Sequence, residues 1–334
     1  MSDFADGLVL GMMFGGGSEE DNDDWQPPAD WLPVPEPEPW EVYLLIELRG
    51  SDVSSLQYNL TFANPIDCYI GEGTLIIDWG DGTVEPYEGV VRDENGQVIS
   101  GTQWYSSYHT YEKQGQYIIK ITTQKENCLF YTTSGRNYYS GGILIAKLGS
   151  NIRLKSDIKR NINPLGNNYT LHYVSVKNTL GFTGYCFSNC YALKKIELAA
   201  PLSEIPESFL YDNYALTKFD FSETLTINTY ALYETRFKKL SLPKCTEIKK
   251  SSCQYMRALT EVHAPLCISI ENGAFIDCMS LTEIYAPNCT SVGDGAFSYC
   301  YNLEKVTFAE NCTFGKNVFS NCYNLYPLPD GATN

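Results

Sequence analysis

Histidine is scarce in this sequence, 3 in 334 residues, too few for a His-rich metal centre and thin support for acid–base chemistry. Lys and Arg number 24 against 40 Asp and Glu, and the net charge of −16 speaks against nucleic acid or an anionic membrane as partner, because both require clustered cations. No apolar run reaches the roughly 18 residues of a membrane-spanning helix. No cysteine precedes Cys68, so a lipoprotein-type start is not expected. A secretory signal is not expected either: Asp3 and Asp6 stand where its basic start belongs, and Gly11 interrupts the apolar stretch. These absences leave an enzyme the weaker expectation, and no cofactor is implied. What is abundant is tyrosine, 25 residues against 15 Phe and 5 Trp.

Charge divides the chain into three zones. Residues 1–40 hold 10 acids and no base, residues 41–150 hold 13 acids and 7 bases, and residues 151–334 hold 17 of each. The first zone, read as a leader over 1–39, opens with a short apolar plug (Leu8, Val9, Leu10, Met12, Met13 and Phe14). An acidic run follows, then a Pro-rich stretch from Pro27 to Pro39 whose fixed φ angles make it extended and semi-rigid. The leader reads either as a disordered tail or as a docking peptide on a stiff spacer, inserted into a larger protein assembly, dispensable for folding but required for incorporation.

Residues 40–124 read as a β domain. Glu41–Leu48 and Tyr58–Phe62 are rich in β-branched and aromatic residues. Leu75 to Trp79 is an apolar strand that runs into the turn Gly80-Asp81-Gly82. His109-Thr110-Tyr111 precedes Gly115 and the alternating Tyr117, Ile119 and Ile121. The WGDG turn and the HTY hairpin together resemble the PKD (polycystic-kidney-disease) module, which implies an immunoglobulin-like β-sandwich. A long insertion over about 85–107 departs from that pattern. Asp78 and Asp81 could be a carboxylate pair for glycoside hydrolysis. The simpler reading gives Asp81 the turn, Asp78 nearby backbone amides, and His109 a hydrogen bond within the hairpin. The segment lacks the spacing of a calcium loop.

The strongest signal is repetition. After a connector and solenoid cap at 125–150, the residues Leu171, Leu193, Leu216, Phe237, Leu259, Leu281, Leu303 and Leu325 recur at steps of 21 to 23. Apolar residues follow three and, in most repeats, five positions later, as at Val174 and Val176. Phe187, Leu210, Ala231, Cys253, Phe275, Phe297 and Phe319 lie six positions before. A period in the twenties with this pattern predicts a leucine-rich-repeat solenoid. Ile152 and Leu154, one period upstream of Val174 and Val176, place the first rung at 151. That makes about eight 22-residue rungs and a truncated ninth, and a mainly β chain overall. Phe297-Ser298-Tyr299-Cys300-Tyr301-Asn302-Leu303-Glu304-Lys305-Val306 resembles the F-x-x-C-x-x-L-x-x-[IV] signature of BspA-type leucine-rich repeats, as do Phe187–Ile196, Phe275–Ile284 and Phe319–Leu328.

Cys190, Cys278, Cys300 and Cys322 share one column of the repeat, and Cys245, Cys267, Cys289 and Cys312 another. Asn168, Asn213 and Met256 occupy the first column elsewhere, so the cysteines are expected as buried free thiols filling small apolar slots. They are expected neither as disulfides nor as a zinc site, and no motif supports a Cys nucleophile paired with His172 or His263. By the strand period of two, one outward column is Tyr173, Lys195, Lys218, Lys239, Glu261, Glu283 and Lys305. The other is Ser175, Glu197, Asp220, Ser241, His263, Tyr285 and Thr307. They are either solvated strand faces or a polar ligand surface of the kind solenoids present. Tyr191, Tyr214, Tyr301 and Tyr323 form a further column that caps the core edge or contributes to recognition.

A BspA-type repeat behind a PKD-like module resembles surface and adhesion proteins of gut bacteria and of the phages that infect them. That resemblance implies a phage virion appendage, fibre or decoration protein, docked by its N-terminus to other virion proteins and displaying the repeats to a host-surface glycan or protein. A bacterial cell-surface adhesin is the alternative, and a glycan-active enzyme the third. Self-association stays open.

Overall fold

The strand-forming segments pair into a chain without a helix among the described residues. The computed structural model describes residues 25–48, 66–69, 73–89, 91–95, 97–100, 104–107, 109–123, 129–132, 142–152, 154, 165–179 and 182–332. The expected plug, Leu8 to Phe14, lies outside them. In the first part, the strands are β1 (Glu41–Leu48), β2 (Ile66–Tyr69), β3 (Thr74–Asp78), β4 (Val84–Glu88), β5 (Val91–Arg92) and β6 (Val98–Ser100). There follow β7 (Trp104–Ser107), β8 (Gly115–Thr123), β9 (Leu129–Thr132) and β10 (Gly142–Leu148). The solenoid begins with β11 (Tyr173–Val176) and β12 (Lys195–Leu198).

One seven-stranded sheet runs through both parts, in the order β12-β11-β10-β1-β8-β3-β4. β1 pairs antiparallel with β8 on one side and with β10 on the other, and β10 pairs in parallel with β11. A smaller sheet, β7-β2-β9, is antiparallel, and β5 pairs with β6 in a short hairpin. The WGDG turn and the HTY segment interlock. Asp78 Oδ1 accepts from Gly80 N at 3.0 Å and Asp81 Oδ1 from Thr83 N at 2.9 Å. His109 Nε2 lies 2.7 Å from Asp81 Oδ2, and its ring stacks on buried Trp79 with centroids 4.8 Å apart. Tyr111 Oη, itself buried, donates to the Trp79 carbonyl at 3.0 Å. Gly80 is required here: its φ is +80°, and a Cβ would stand 2.5 Å from the Ile118 carbonyl oxygen.

β10 reads GILIAKL and is buried at six of its seven positions, the near-continuous apolar run of a strand covered on both faces. The register against β1 shifts between Leu45 and Ile46, which face Ile145 and Ile143. This bulge leaves Leu144 unpaired and lets consecutive Leu144 and Ile145 share one cluster with Leu45. The ladder partner of Val174 is Ala146 and that of Val176 is Leu148. The first rung strand therefore lies six residues before the expected Ile152 and Leu154, which are buried but form no strand.

Beyond β12 each rung carries up to two short strands. A six-stranded parallel sheet consists of β13 (Glu204–Ile205), β14 (Thr226–Ile227), β16 (Glu247–Ile248), β18 (Ser269–Ile270), β20 (Ser291–Val292) and β22 (Thr313–Phe314). A four-stranded parallel sheet consists of β15 (Lys239–Ser241), β17 (Glu261–His263), β19 (Glu283–Tyr285) and β21 (Lys305–Thr307). About six turns thus carry the second strand, against eight rungs counted by leucine spacing. The rung of Leu216 forms no first strand at Lys218–Asp220. Its flanking steps are 23 and 21 residues rather than 22, and its two inward positions are Phe219 and Phe221, with ring centroids 5.1 Å apart. Their width holds the chain out of ladder distance of the aliphatic rungs on either side. At the last rung the equivalent stretch is Tyr326-Pro327-Leu328-Pro329, without strand, as two residues lacking an N–H dictate.

A single buried cluster extends from Val42 in β1 to Leu325 in the last rung. The column six residues before each leucine is fully buried, from Phe187 to Phe319. The ten cysteines of the repeats are free thiols, nine of them buried. They are more than fillers, because their S–H groups are donors. Cys278, Cys300 and Cys322 point at the carbonyls of Cys253, Phe275 and Phe297, with Sγ 3.1 to 3.2 Å from oxygen. In the same slot Asn213 Nδ2 donates to Phe187 O at 2.7 Å. Where the slot holds Cys or Asn, a short side chain places a donor on a neighbouring rung's carbonyl; Met256 fills it without one. Thiol titration under denaturing, non-reducing conditions should recover Cys278, Cys300 and Cys322 as free thiols; a disulfide between any two would reject this assignment. Cys300→Ala should lose about 1–2 kcal/mol in urea unfolding by removing one of the two donors to the Phe275 carbonyl, the other being Cys278 N, and emptying a buried slot, and Cys300→Ser should recover part of it.

Candidate binding face

Three of the outward residues meet at the first rungs. Tyr173 on β11 pairs with Lys195 on β12, and Ser175 with Glu197. Lys195 Nζ lies 2.8 Å from a Glu197 oxygen and over the Tyr173 ring, and Tyr173 Oη donates to the other Glu197 oxygen. Burial works against the charge of Glu197, but the hydrogen bonds from Lys195 and Tyr173 outweigh it and hold the carboxyl below its usual range. Burial, with Glu197 alongside, pushes the Tyr173 phenol up and keeps it neutral. Ser175, expected outward, is buried. It is the smallest side chain in a row between Lys147 and Glu197.

The Pro-rich stretch lies across this same face, which corrects its reading as a spacer that holds the domains away. Trp31 and Val34 pack on Leu45, Leu144 and Ile145, with Tyr173 beside them. Lys147 Nζ donates to the Val34 carbonyl at 2.8 Å and to Glu36 at 2.7 Å, and Lys177 also reaches Glu36. Leu32 N donates to Gln116 Oε1. A Cβ on Gly149 would stand 2.1 Å from the Glu38 carbonyl oxygen, so the segment passes in backbone contact there. The ring of His172 stacks against Trp25 and meets Trp31 edge-on at 5.2 Å. Between the segment and the strands a cleft of about 450 Å³ remains, lined by Trp25, Trp31, Lys147, Tyr173, Lys195 and Glu197 among others. Sequence reasoning missed Trp25, Trp31 and Lys147. The signal was available: two of the 5 tryptophans, Trp25 and Trp31, fall in the leader and Trp40 directly follows it, and large rings are seldom left to solvent.

Eight other named residues share the four-stranded sheet. Lys239, Glu261, Glu283 and Lys305 form one row in register, and Ser241, His263, Tyr285 and Thr307 the next. Lys239 pairs with Glu261 at 2.9 Å and Lys305 with Glu283 at 2.6 Å, so the alternation of basic and acidic rungs becomes ion pairs between neighbours. His263 and Tyr285, both exposed, stack with ring planes 4° apart. Lys218 and Asp220 are exposed in the strandless rung between the two groups, and Asp220 accepts from Ser222 N at a turn.

The tyrosine column lies on another side, with Tyr191 stacked on Tyr214 and Tyr301 on Tyr323. Beside it Asp212 and Glu234 occupy left-handed positions in adjacent rungs. Burial, then the neighbouring Glu234 carboxyl, pushes Asp212 up to about 7. An acid that binds its proton more tightly when folded favours folding at low pH. Stability should therefore fall as pH rises from about 4 to 7 and level off above. Asp212→Asn should remove that slope, gaining about 1–2 kcal/mol at pH 8 after allowance for solvent screening; parallel pH profiles of wild type and variant in urea unfolding would refute it.

Burial pushes the Cys186 and Cys190 thiols up to about 12, far from a thiolate at neutral pH. Among the described residues no group of three or more His, Cys, Asp or Glu could hold a metal ion, and no helix is long and apolar enough to cross a membrane.

Residues 166–260 and 246–328 match the BspA type Leucine rich repeat region in 6 copies. Among solved structures, a leucine-rich repeat protein from Bacteroides ovatus is 20% identical, with a TM-score of 0.39, over 55% of this chain and 47% of its own. The chain thus spans about half the length of that protein. The T. pallidum Leucine Rich Repeat protein is 19% identical, with a TM-score of 0.37, over 60% of this chain and 85% of its own. A leucine rich cell surface protein from Faecalibacterium prausnitzii is 16% identical, with a TM-score of 0.28, over 54% and 62%. No curated protein matches the chain.

Proposed function

We propose, from a repeat half that is a BspA-type leucine-rich repeat region, that this is a non-catalytic binding protein displayed at a surface. The observation that carries the reading is the open ladder of β15, β17, β19 and β21. Its charged row is neutralised rung to rung, and its second row presents His263 and Tyr285 between Ser241 and Thr307. A flat, rigid, charge-balanced surface with exposed aromatics suits reversible recognition of a host-surface glycan or protein.

The finer reading is a virion appendage, held in a particle through residues 1–24 with Leu8, Val9, Leu10, Met12, Met13 and Phe14 as docking residues. A bacterial surface adhesin is the second reading, and the packing of residues 25–36 on the sheet favours it, because the leader then has a shorter reach toward a docking partner. Full-length protein should bind whole-cell surfaces of its target, and His263→Ala with Tyr285→Ala should weaken binding about 10-fold or more. Undiminished binding by that double variant would remove the face from the proposal. Loss of particle incorporation on deleting residues 1–24 would support the virion; normal incorporation would put the adhesin first.

A further inference from the structure

The cleft between the leader and the first rungs is a second, differently built site. At about 450 Å³ the cleft, half open to solvent, has the size of a small-molecule site. Its aromatic walls stand at several angles: Trp25 lies within 26° of the plane of Tyr173 and at 66° to Trp31. Such rings offer flat apolar faces to the C–H side of a ligand. Its charges are paired: Lys195 faces Glu197, and Lys147 and Lys177 share Glu36, so no ammonium or carboxylate named here stands without a counter-charge. Lys195 and Glu197 remain partly accessible, with side chains 33% and 45% exposed. An ammonium keeps donors and a carboxylate keeps lone pairs beyond those used in their mutual pair. Aromatic faces beside a fixed donor and acceptor, with the charges already paired, match a ligand with an apolar ring face and neighbouring hydroxyl groups.

We infer that this cleft binds a neutral saccharide of one or two rings, with Trp25, Trp31 and Tyr173 as its walls and Lys195 and Glu197 as its hydrogen-bonding pair. The inference rests on the reading of the chain as a surface-binding protein and narrows it to one site and one ligand class. The leader thereby becomes part of the binding machinery.

The test uses the full-length protein. Its tryptophan fluorescence and saturation-transfer NMR would be followed during titration with lactose, maltose, cellobiose and chitobiose. At least one should bind saturably, with a dissociation constant in the range of about 0.1–10 mM. Glu197→Gln, which keeps the side-chain shape, should weaken that sugar about 10-fold, and Trp25→Ala should do likewise. Salt should have little effect. No saturable binding up to about 50 mM, or binding indifferent to both variants, would overturn the inference. Tighter binding of sialyllactose or a heparin disaccharide would overturn the ligand class. Cell-surface binding measured in parallel separates the two proposals. If it persists while every neutral sugar fails, only the cleft is rejected; if sugar binds and the His263 and Tyr285 variant still adheres, only the open ladder is.

Discussion

Phe297→Ala is expected to lower the stability of the protein by about 3–5 kcal/mol. The ring is fully buried, with Phe275 stacked on one side at 5.3 Å and Phe319 on the other at 5.7 Å. Removing it opens a cavity in the middle of a ring stack. The neighbours cannot close it, because their backbones are fixed by ladder bonds such as Phe275 N to Ala296 O and Phe297 N to Val318 O. The defect also weakens the interfaces with both adjacent rungs, and solenoid stability depends on those nearest-neighbour terms. Urea unfolding followed by far-ultraviolet circular dichroism checks the value. A loss below about 1 kcal/mol would mean that this column does not bear the packing assigned to it.

Deleting residues 1–39 should destabilise the protein by about 3–6 kcal/mol relative to deleting residues 1–24, the opposite of the dispensable leader that composition suggests. The difference contains the burial of Trp31 and Val34 on Leu45, Leu144 and Ile145, worth about 1.5–3 kcal/mol for each large side chain. It also contains the bonds from Lys147 to Val34 and Glu36 and from Asn151 N to the Pro39 carbonyl. The prolines limit the entropy that the free segment would regain. Thermal and urea melts of the two truncated proteins decide the matter. Trp31→Ala alone should account for about 2–3 kcal/mol of the difference; equal stabilities of the two truncations would show that the segment only rests on the sheet.

The features legible in the sequence are those that a short window determines. The leucine period, the phenylalanine column and the cysteine columns repeat about every 22 residues, and each finds its place in the core. The roles of Asp78, Asp81 and His109 followed from turn chemistry and are seen in their hydrogen bonds. Features that depend on a distant partner were not legible. Ile152 and Leu154 kept the period, but Ala146 and Leu148 took the ladder because β10 also pairs with β1. Ser175 follows the outward alternation, yet it lies in a row beneath a segment about 140 residues earlier in the chain. The apolar continuity of β10 was the one local hint that something covers its second face. The shared rows of Lys239, Glu261, His263, Glu283, Tyr285 and Lys305 on one ladder followed from the period alone. The cleft was half visible, through Tyr173, Lys195 and Glu197.

The sheet that carries β1 between β8 and β10 and continues into β11 and β12 ties the first part to the first rungs of the solenoid strand by strand. A protein of two modules on a flexible tether searches for its ligand by swinging. Here six antiparallel residue pairs between β1 and β10, and four parallel pairs between β10 and β11, join the first part to the first rungs, and a binding face on the repeats, as proposed, would keep its orientation to it. Copies arrayed on a common support would then present their faces at one angle, and the gain from multivalent contact would be set by the geometry of that support rather than by tether length. A target matching the array would be gripped by many copies at once, while a target of the wrong curvature would be met by few.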